Sequence, residues 1–208
     1  MHRPFSSRIL IRWRSECRRL CEADGAAILE FAISLPLLLV FVVGIYDFGG
    51  AFDQKQKIEQ AAQEGAIVAG AQPTSDLFSD GTVNGNPPSL LPVVSATLTS
   101  LIGSGIIASG ACTPPGTVSA SGLTWTYTIS GCSASHASDN LVIAINRGWV
   151  CSSGASCGSA PPEAVGTTVT VTYPYHWRFS SVIGLLIPGA SYATQTSVAE
   201  AATVHNQM

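Results

Sequence analysis

Apolar positions crowd into one stretch of the chain and alternate with polar ones over most of the rest. From Ala26 to Tyr46 the sequence reads AAILEFAISLPLLLVFVVGIY, with Glu30 as its one charge. As a helix rising about 1.5 Å per residue these residues span roughly 31 Å, the thickness of a bilayer's hydrocarbon core, so the stretch predicts a membrane-crossing helix. Beyond it, DQKQKIEQAAQEGAIVAG (residues 53–70) turns polar yet stays helical in period. Ile58, Ala61, Ala62, Gly65, Val68 and Ala69 fall on one side, and Glu59, Gln60, Gln63 and Glu64 on the other. One helix from about Ala26 to about Gly70 is expected. Pro36 lies inside it, removes the bond to the Ala32 carbonyl, and predicts a kink.

Residues 71–88 (AQPTSDLFSDGTVNGNPP) are turn-rich and predict a loop. In SLLPVVSATLTSLIGSG, Leu91, Val94, Leu98, Leu101 and Ile102 share a helical face, which predicts a second helix ending near Gly103 with Pro92 in its first turn. The period then drops to two. LTWTYTIS alternates Leu123, Trp125, Tyr127 and Ile129 with Ser and Thr, and TTVTVTYPY alternates Val169, Val171 and Tyr173. LVIAINRGWV (141–150) and YATQTSVAEAATV (192–204) are two further strand candidates. SSVIGLLIPGA (180–190) is apolar but too short to be a second span. The expected fold is α+β: a long N-terminal transmembrane helix continuing into a small exported domain with a second helix and an antiparallel sheet. The expected divisions are a basic leader (1–25), the transmembrane helix (26–46), its extension (47–70) and the exported α+β domain (71–208).

Charge sets the orientation of this plan. Six arginines in residues 1–25 stand against Glu16, Glu22 and Asp24, a balance of +3, and the whole chain carries -3, so the remainder carries -6. A basic arm suits nucleic acid when it stands alone. Here it abuts an apolar run, and a membrane is expected instead, with no nucleic-acid partner. By the positive-inside rule the head stays in the cytoplasm and the body is exported, a single-pass protein of the bacterial inner membrane with its C-terminal domain periplasmic or extracellular. Cys17 and Cys21 then lie in a reducing compartment. Cys112, Cys132, Cys151 and Cys157 lie in an oxidising one, where three pairings are open and the two local ones, Cys112–Cys132 and Cys151–Cys157, are favoured.

Little in the sequence points to catalysis. GASCG (Gly154–Gly158) fits the G-x-S-x-G elbow of hydrolases with Ser156 as nucleophile, but SAPPEAVG follows where a helix is needed, and two cysteines bracket it. His2, His136, His176 and His205 show no metal-ligand spacing, and no phosphate or dinucleotide glycine loop is present. Trp125, Trp149 and Trp177 could form a ligand platform, though tryptophans in strands are more often core. No enzyme, metal or cofactor is expected. Charge-poor strand edges raise the possibility of pairing with other subunits.

The stretch around Gly25 resembles a type IV prepilin-like processing site: a basic leader, a glycine, then an apolar helix whose fifth residue is Glu30. More fully, the segment GAAILEFAISLPLLLVFVVGIYDFGGAF and the following QKIEQAAQEGAIVAG resemble the TadE-like family of tight-adherence pilus assembly proteins. The resemblance rests on G-x-x-x-x-E-F at Gly25–Phe31, L-P-L-L-L at Leu35–Leu39 and A-A-x-E-G-A at Ala61–Ala66. It is close over about residues 18–70 and loose at TVTVTYPY and SYATQTSVAE. It implies a pilin-like pseudopilin of a Flp/Tad-type pilus or secretion system, cut between Gly25 and Ala26 by a prepilin peptidase. Partners would be that peptidase, other pilins or pseudopilins, and inner-membrane assembly proteins.

A carboxylate inside a bilayer is costly and by default has a partner. Cleavage would create one, the amino group of Ala26, at nearly the same depth on every neighbouring subunit. Three other readings stay open: a secreted protein whose signal peptide ends before Phe52, a membrane-tethered hydrolase using Ser156, and an uncut scaffold.

Overall fold

A computed structural model describes residues 8–112, 114–133, 136, 138–148, 166–178 and 193–207, with side chains from residue 25 onward. The chain forms two units, residues 1–47 with 178–192 and residues 48–177 with 193–208.

Helix α1 runs from Arg8 to Gly70, so helical structure begins well inside the basic head and not at Ala26 as the apolar pattern suggests. The apolar run is only the part of the helix whose side chains avoid water. Backbone hydrogen bonding continues on either side of it, and Pro36 lies within the helix.

In the second unit, residues 58–69 of α1 show why this helix is rich in alanine. Ile58, Ala61, Ala62, Ala66 and Ala69 are buried. A Cβ at Gly65 would collide with Oγ1 of Thr97 and come within 3.3 Å of Cγ1 of Val169, so glycine here lets the helix meet a second helix and a strand together. At Gly70 a Cβ would stand 2.7 Å from Cγ1 of Val204. Small residues set the distance between layers, while Glu59, Gln60, Gln63 and Glu64 remain in solvent and pair as Gln60 with Glu64 and Gln63 with Glu59.

The second helix, α2 (Leu91–Gly103), follows a single 3₁₀ turn at Pro88–Leu90. Its buried face is Val93, Val94, Thr97, Leu98 and Leu101, with Leu90 just before it. Leu91 lies outside that face and is 40% exposed, a correction to the expected stripe. At about 100° per residue the buried arc is centred near Leu90, Val94, Thr97 and Leu101, and Leu91 falls on its flank in the first turn.

Strands β1 (Phe78–Ser79) and β2 (Thr82–Val83) form a small hairpin within the loop, turned by Asp80 and Gly81 with φ of 50° and 80°. The main sheet orders β3 (Thr117–Ser121), β4 (Thr124–Ser130), β5 (Asn140–Asn146), β6 (Gly166–His176) and β7 (Gln195–His205) as an antiparallel meander in chain order. Register aligns Trp125, Ile145, Val169 and Ala202 in one row, and Tyr127, Ile143, Val171 and Glu200 in the next. This face meets the helices in one core. The period of two puts Thr124, Thr126, Thr128, Thr168, Thr170 and Thr172 on the opposite face. Half-burial of that kind is what the alternating sequence predicts.

Three side chains hold the loop after α1 in place. Arg147, 3% exposed, donates Nη1 to the Pro73 carbonyl and Nη2 to those of Ala69 and Gln72, at 2.9–3.1 Å. Asp76 accepts the Ser89 amide at 2.7 Å, and Trp125 donates Nε1 to the Asn84 carbonyl at 2.7 Å. Outside the short β1–β2 hairpin, side chains supply much of the hydrogen bonding that holds this loop.

Candidate membrane and assembly site

The first unit contains the apolar part of α1, and among the described residues its side chains have no core to enter. Ile28, Leu29, Phe31, Ile33, Leu37, Leu38 and Phe41 are each 61–70% exposed. The most apolar window has mean hydropathy 2.6 and none of it is buried, whereas Ile58 further along the same helix is wholly buried. Among the described residues one helix is long and apolar enough to cross a membrane, and its surface is of the kind that lipid would solvate. Also within this unit, Arg178 lies over the Tyr46 ring at 5.9 Å, its Nη1 reaching Oη at 3.4 Å.

Glu30 and Phe31 lie on this exposed helix, next to Gly25 and Ala26 in the sequence. Glu30 has no ion pair or hydrogen bond among the described residues. Ser34, one turn on, returns its hydroxyl to the Phe31 carbonyl at 3.2 Å, the usual way a serine hides its polarity in an apolar helix. In the uncut chain Glu30 is not in a first helical turn, because α1 begins at Arg8. The helix dipole gives it little there, since the effect fades within one turn.

Other chemistry-bearing groups gather at the far end of β4, β5 and β6. His136 stacks on His176 with ring centroids 3.7 Å apart, and His176 Nε2 meets Oδ2 of buried Asp139 at 2.8 Å. The tertiary structure thus brings together two histidines that are forty residues apart in sequence. No group of three or more His, Cys, Asp or Glu arranged for a metal ion occurs among the described residues. Cys112 and Cys132 stand as free thiols, side chain against side chain. Burial, and then the neighbouring Cys112, pushes the Cys132 thiol up, so it is a poor source of the thiolate that nucleophilic catalysis needs. Cys151, Cys157, Trp149 and the GASCG stretch with Ser156 lie outside the described residues, as does the apolar 180–190 segment. Of the possible ligand-platform tryptophans, Trp125 is fully buried in the core.

Residues 25–66 match the family model described as TadE-like protein. The match opens on Gly25, contains Glu30, Phe31 and Pro36, and closes on Ala66, the last residue of the A-A-x-E-G-A segment. It does not include the C-terminal strands, where the resemblance was loose. No curated protein and no solved structure matches the chain. The matched family points to a component associated with a Tad pilus, structural in character, with an N-terminal apolar helix.

Proposed function

We propose that this chain is a pseudopilin-like, membrane-anchored component of a Flp/Tad-type pilus assembly or secretion system, cut after Gly25 by a prepilin peptidase. It has no enzymatic activity of its own. The observation that carries the reading is the combination at the start of the family match: a glycine, a carboxylate five residues on, and a helix face that none of the described residues covers.

Physical chemistry gives that combination an order of events. A charged side chain near mid-bilayer costs about 2.5–3.5 kcal/mol on insertion scales, less near the interface. A first-turn position offsets only about 0.3–1 kcal/mol of it, and only after cleavage makes Ala26 the helix start. The new amino group of Ala26 supplies the remaining partner, on the same chain or on a neighbouring subunit at similar depth. Glu30 thus acts in register between subunits, and Phe31 packs in the same contact. The basic leader stays cytoplasmic, and the body folds in the periplasm or beyond the cell, where Cys112 with Cys132, and Cys151 with Cys157, close as disulfides.

Mass spectrometry of the mature protein tests this directly. A chain beginning at Ala26 is expected. A chain beginning at Phe52 would instead make it a secreted protein, and an intact leader a fixed scaffold. In the processed protein, Glu30→Gln is expected to insert normally and to lose co-purification with partner subunits. Undiminished assembly would remove the pairing argument.

A further inference from the structure

The second unit begins at Phe48, two residues after the apolar run ends, and its first helical turns carry aromatic rings that the core does not take. Phe48 and Phe52, four residues apart and on one side of α1, are 60% and 63% exposed. The end of β6 adds to them. Trp177 meets the Phe48 ring edge to face with centroids 5.4 Å apart, and Tyr175 meets Trp177 the same way at 5.0 Å. Glycine at position 50 permits the approach, since a Cβ there would stand 2.7 Å from the Tyr175 hydroxyl oxygen. Gln54 Nε2 donates to the Pro174 carbonyl at 3.2 Å and holds strand to helix just above the cluster.

From this we infer a lipid-contact surface on the folded body: Phe48, Phe52, Tyr175 and Trp177 form an aromatic collar that sits in the headgroup layer of the bilayer. The inference rests on the membrane-anchored reading and adds to it a contact by the body itself, not by the anchor alone. Continuity with the apolar run fixes the occupant. At about 1.5 Å per residue, Phe48 and Phe52 lie roughly 3–9 Å past Tyr46 along the helix, within the interfacial zone that flanks the hydrocarbon core. Tryptophan and tyrosine favour that zone because one ring carries both an apolar body and a polar edge. The next polar side chains along α1 are already engaged within the body, Lys57 with Asp53 at 2.8 Å and Lys55 with Glu200 at 3.4 Å. The collar therefore meets the headgroups through its rings, without need of anionic lipid.

The test uses the full chain in phosphatidylcholine nanodiscs, with bromine on the acyl chains either near the headgroup or near the bilayer centre. Trp13 and Trp149 are replaced by Phe, and Trp125 is kept as a buried background. The emission that Trp177→Phe removes is the collar's signal. It is expected to be lost mainly to shallow bromines, and Phe48→Trp in the Trp177→Phe background is expected to show the same depth. Trp introduced as Phe41→Trp reads the anchor separately and should be lost mainly to deep bromines. Deep quenching of Phe41→Trp with no quenching of either collar tryptophan would overturn the inference and leave the anchor intact. Quenching of the collar mainly by deep bromines would also overturn it. Absence of quenching at all three positions would overturn both readings.

Discussion

Replacing Arg147 with methionine removes a side chain that gathers three carbonyls where the chain leaves α1. Its guanidinium donates to three carbonyls, those of Ala69, Gln72 and Pro73, at 2.9–3.1 Å and at 3% exposure. A hydrogen bond from a charged donor contributes about 1.5–3 kcal/mol, and contributions from one side chain are not additive. Methionine fills much of the same volume, so a cavity adds little, but three buried carbonyls lose their donor. A buried carbonyl left without its donor costs about 1–3 kcal/mol, and because the three costs do not add, a destabilisation of about 3 kcal/mol is expected. Arg147→Lys should recover part of it, because a single ammonium cannot present the planar fork that reaches all three carbonyls. The assay is urea unfolding of the full chain in detergent, followed by Trp125 emission, with the midpoint expected to fall at unchanged slope. A loss below about 1 kcal/mol for Arg147→Met, the range of an exposed ion pair, would refute the claim that this residue fastens the helix end to the sheet.

Gly65→Ala should destabilise the body by about 1–2 kcal/mol, overpacking against Thr97 and Val169 outweighing the roughly 1 kcal/mol gain in helix propensity. Gly49→Ala, where an added Cβ meets nothing within 4 Å, should be neutral or mildly stabilising in the same urea unfolding assay. Burial, and then the charge of Asp76, pushes Tyr127 up to about 12, and burial raises Tyr173 as well. Unfolded tyrosine loses its proton from about pH 10, before folded Tyr127 does, so stability should fall between pH 10 and 12 by at most ~1.4 kcal/mol per pH unit for this residue. Tyr127→Phe should flatten that slope in urea melts across the range. Protein recovered from the exported compartment should show Cys112 and Cys132 blocked to alkylation until reduced, with reduction costing about 3 kcal/mol for a loop of this length. Free thiols at both positions would reject the pairing.

Local pattern made much of this protein legible. The extent of the apolar run, the small-residue face of α1 and the strands over Trp125, Val142 and Val171 follow from periods of 3.6 and 2, which any chain must obey to bury one face of an element. The motif from Gly25 to Ala66 was readable for the same reason, being contiguous along one helix. Two local turn signals mark elements that hydrophobic alternation does not reveal. Asp80-Gly81 marks the β1–β2 hairpin, and Gly122-Leu123 with φ of 56° at the glycine marks the turn that creates β3. TVSAS has no apolar alternation because it is an edge strand with little to bury.

What the sequence by itself determined is a set of one-dimensional facts: where the chain turns apolar, where its charges fall, and which carboxylate lies in the apolar run. Only the tertiary structure decided which distant groups share a place. Arg147 meets the end of α1 from more than seventy residues away, and Trp177 returns to Phe48 across most of the body. His176 finds Asp139 and His136 in the same manner. Periodicity assigns a side chain to a face of its own element. It carries no information on which face of another element will lie opposite, because that depends on register and layer packing summed over the whole core.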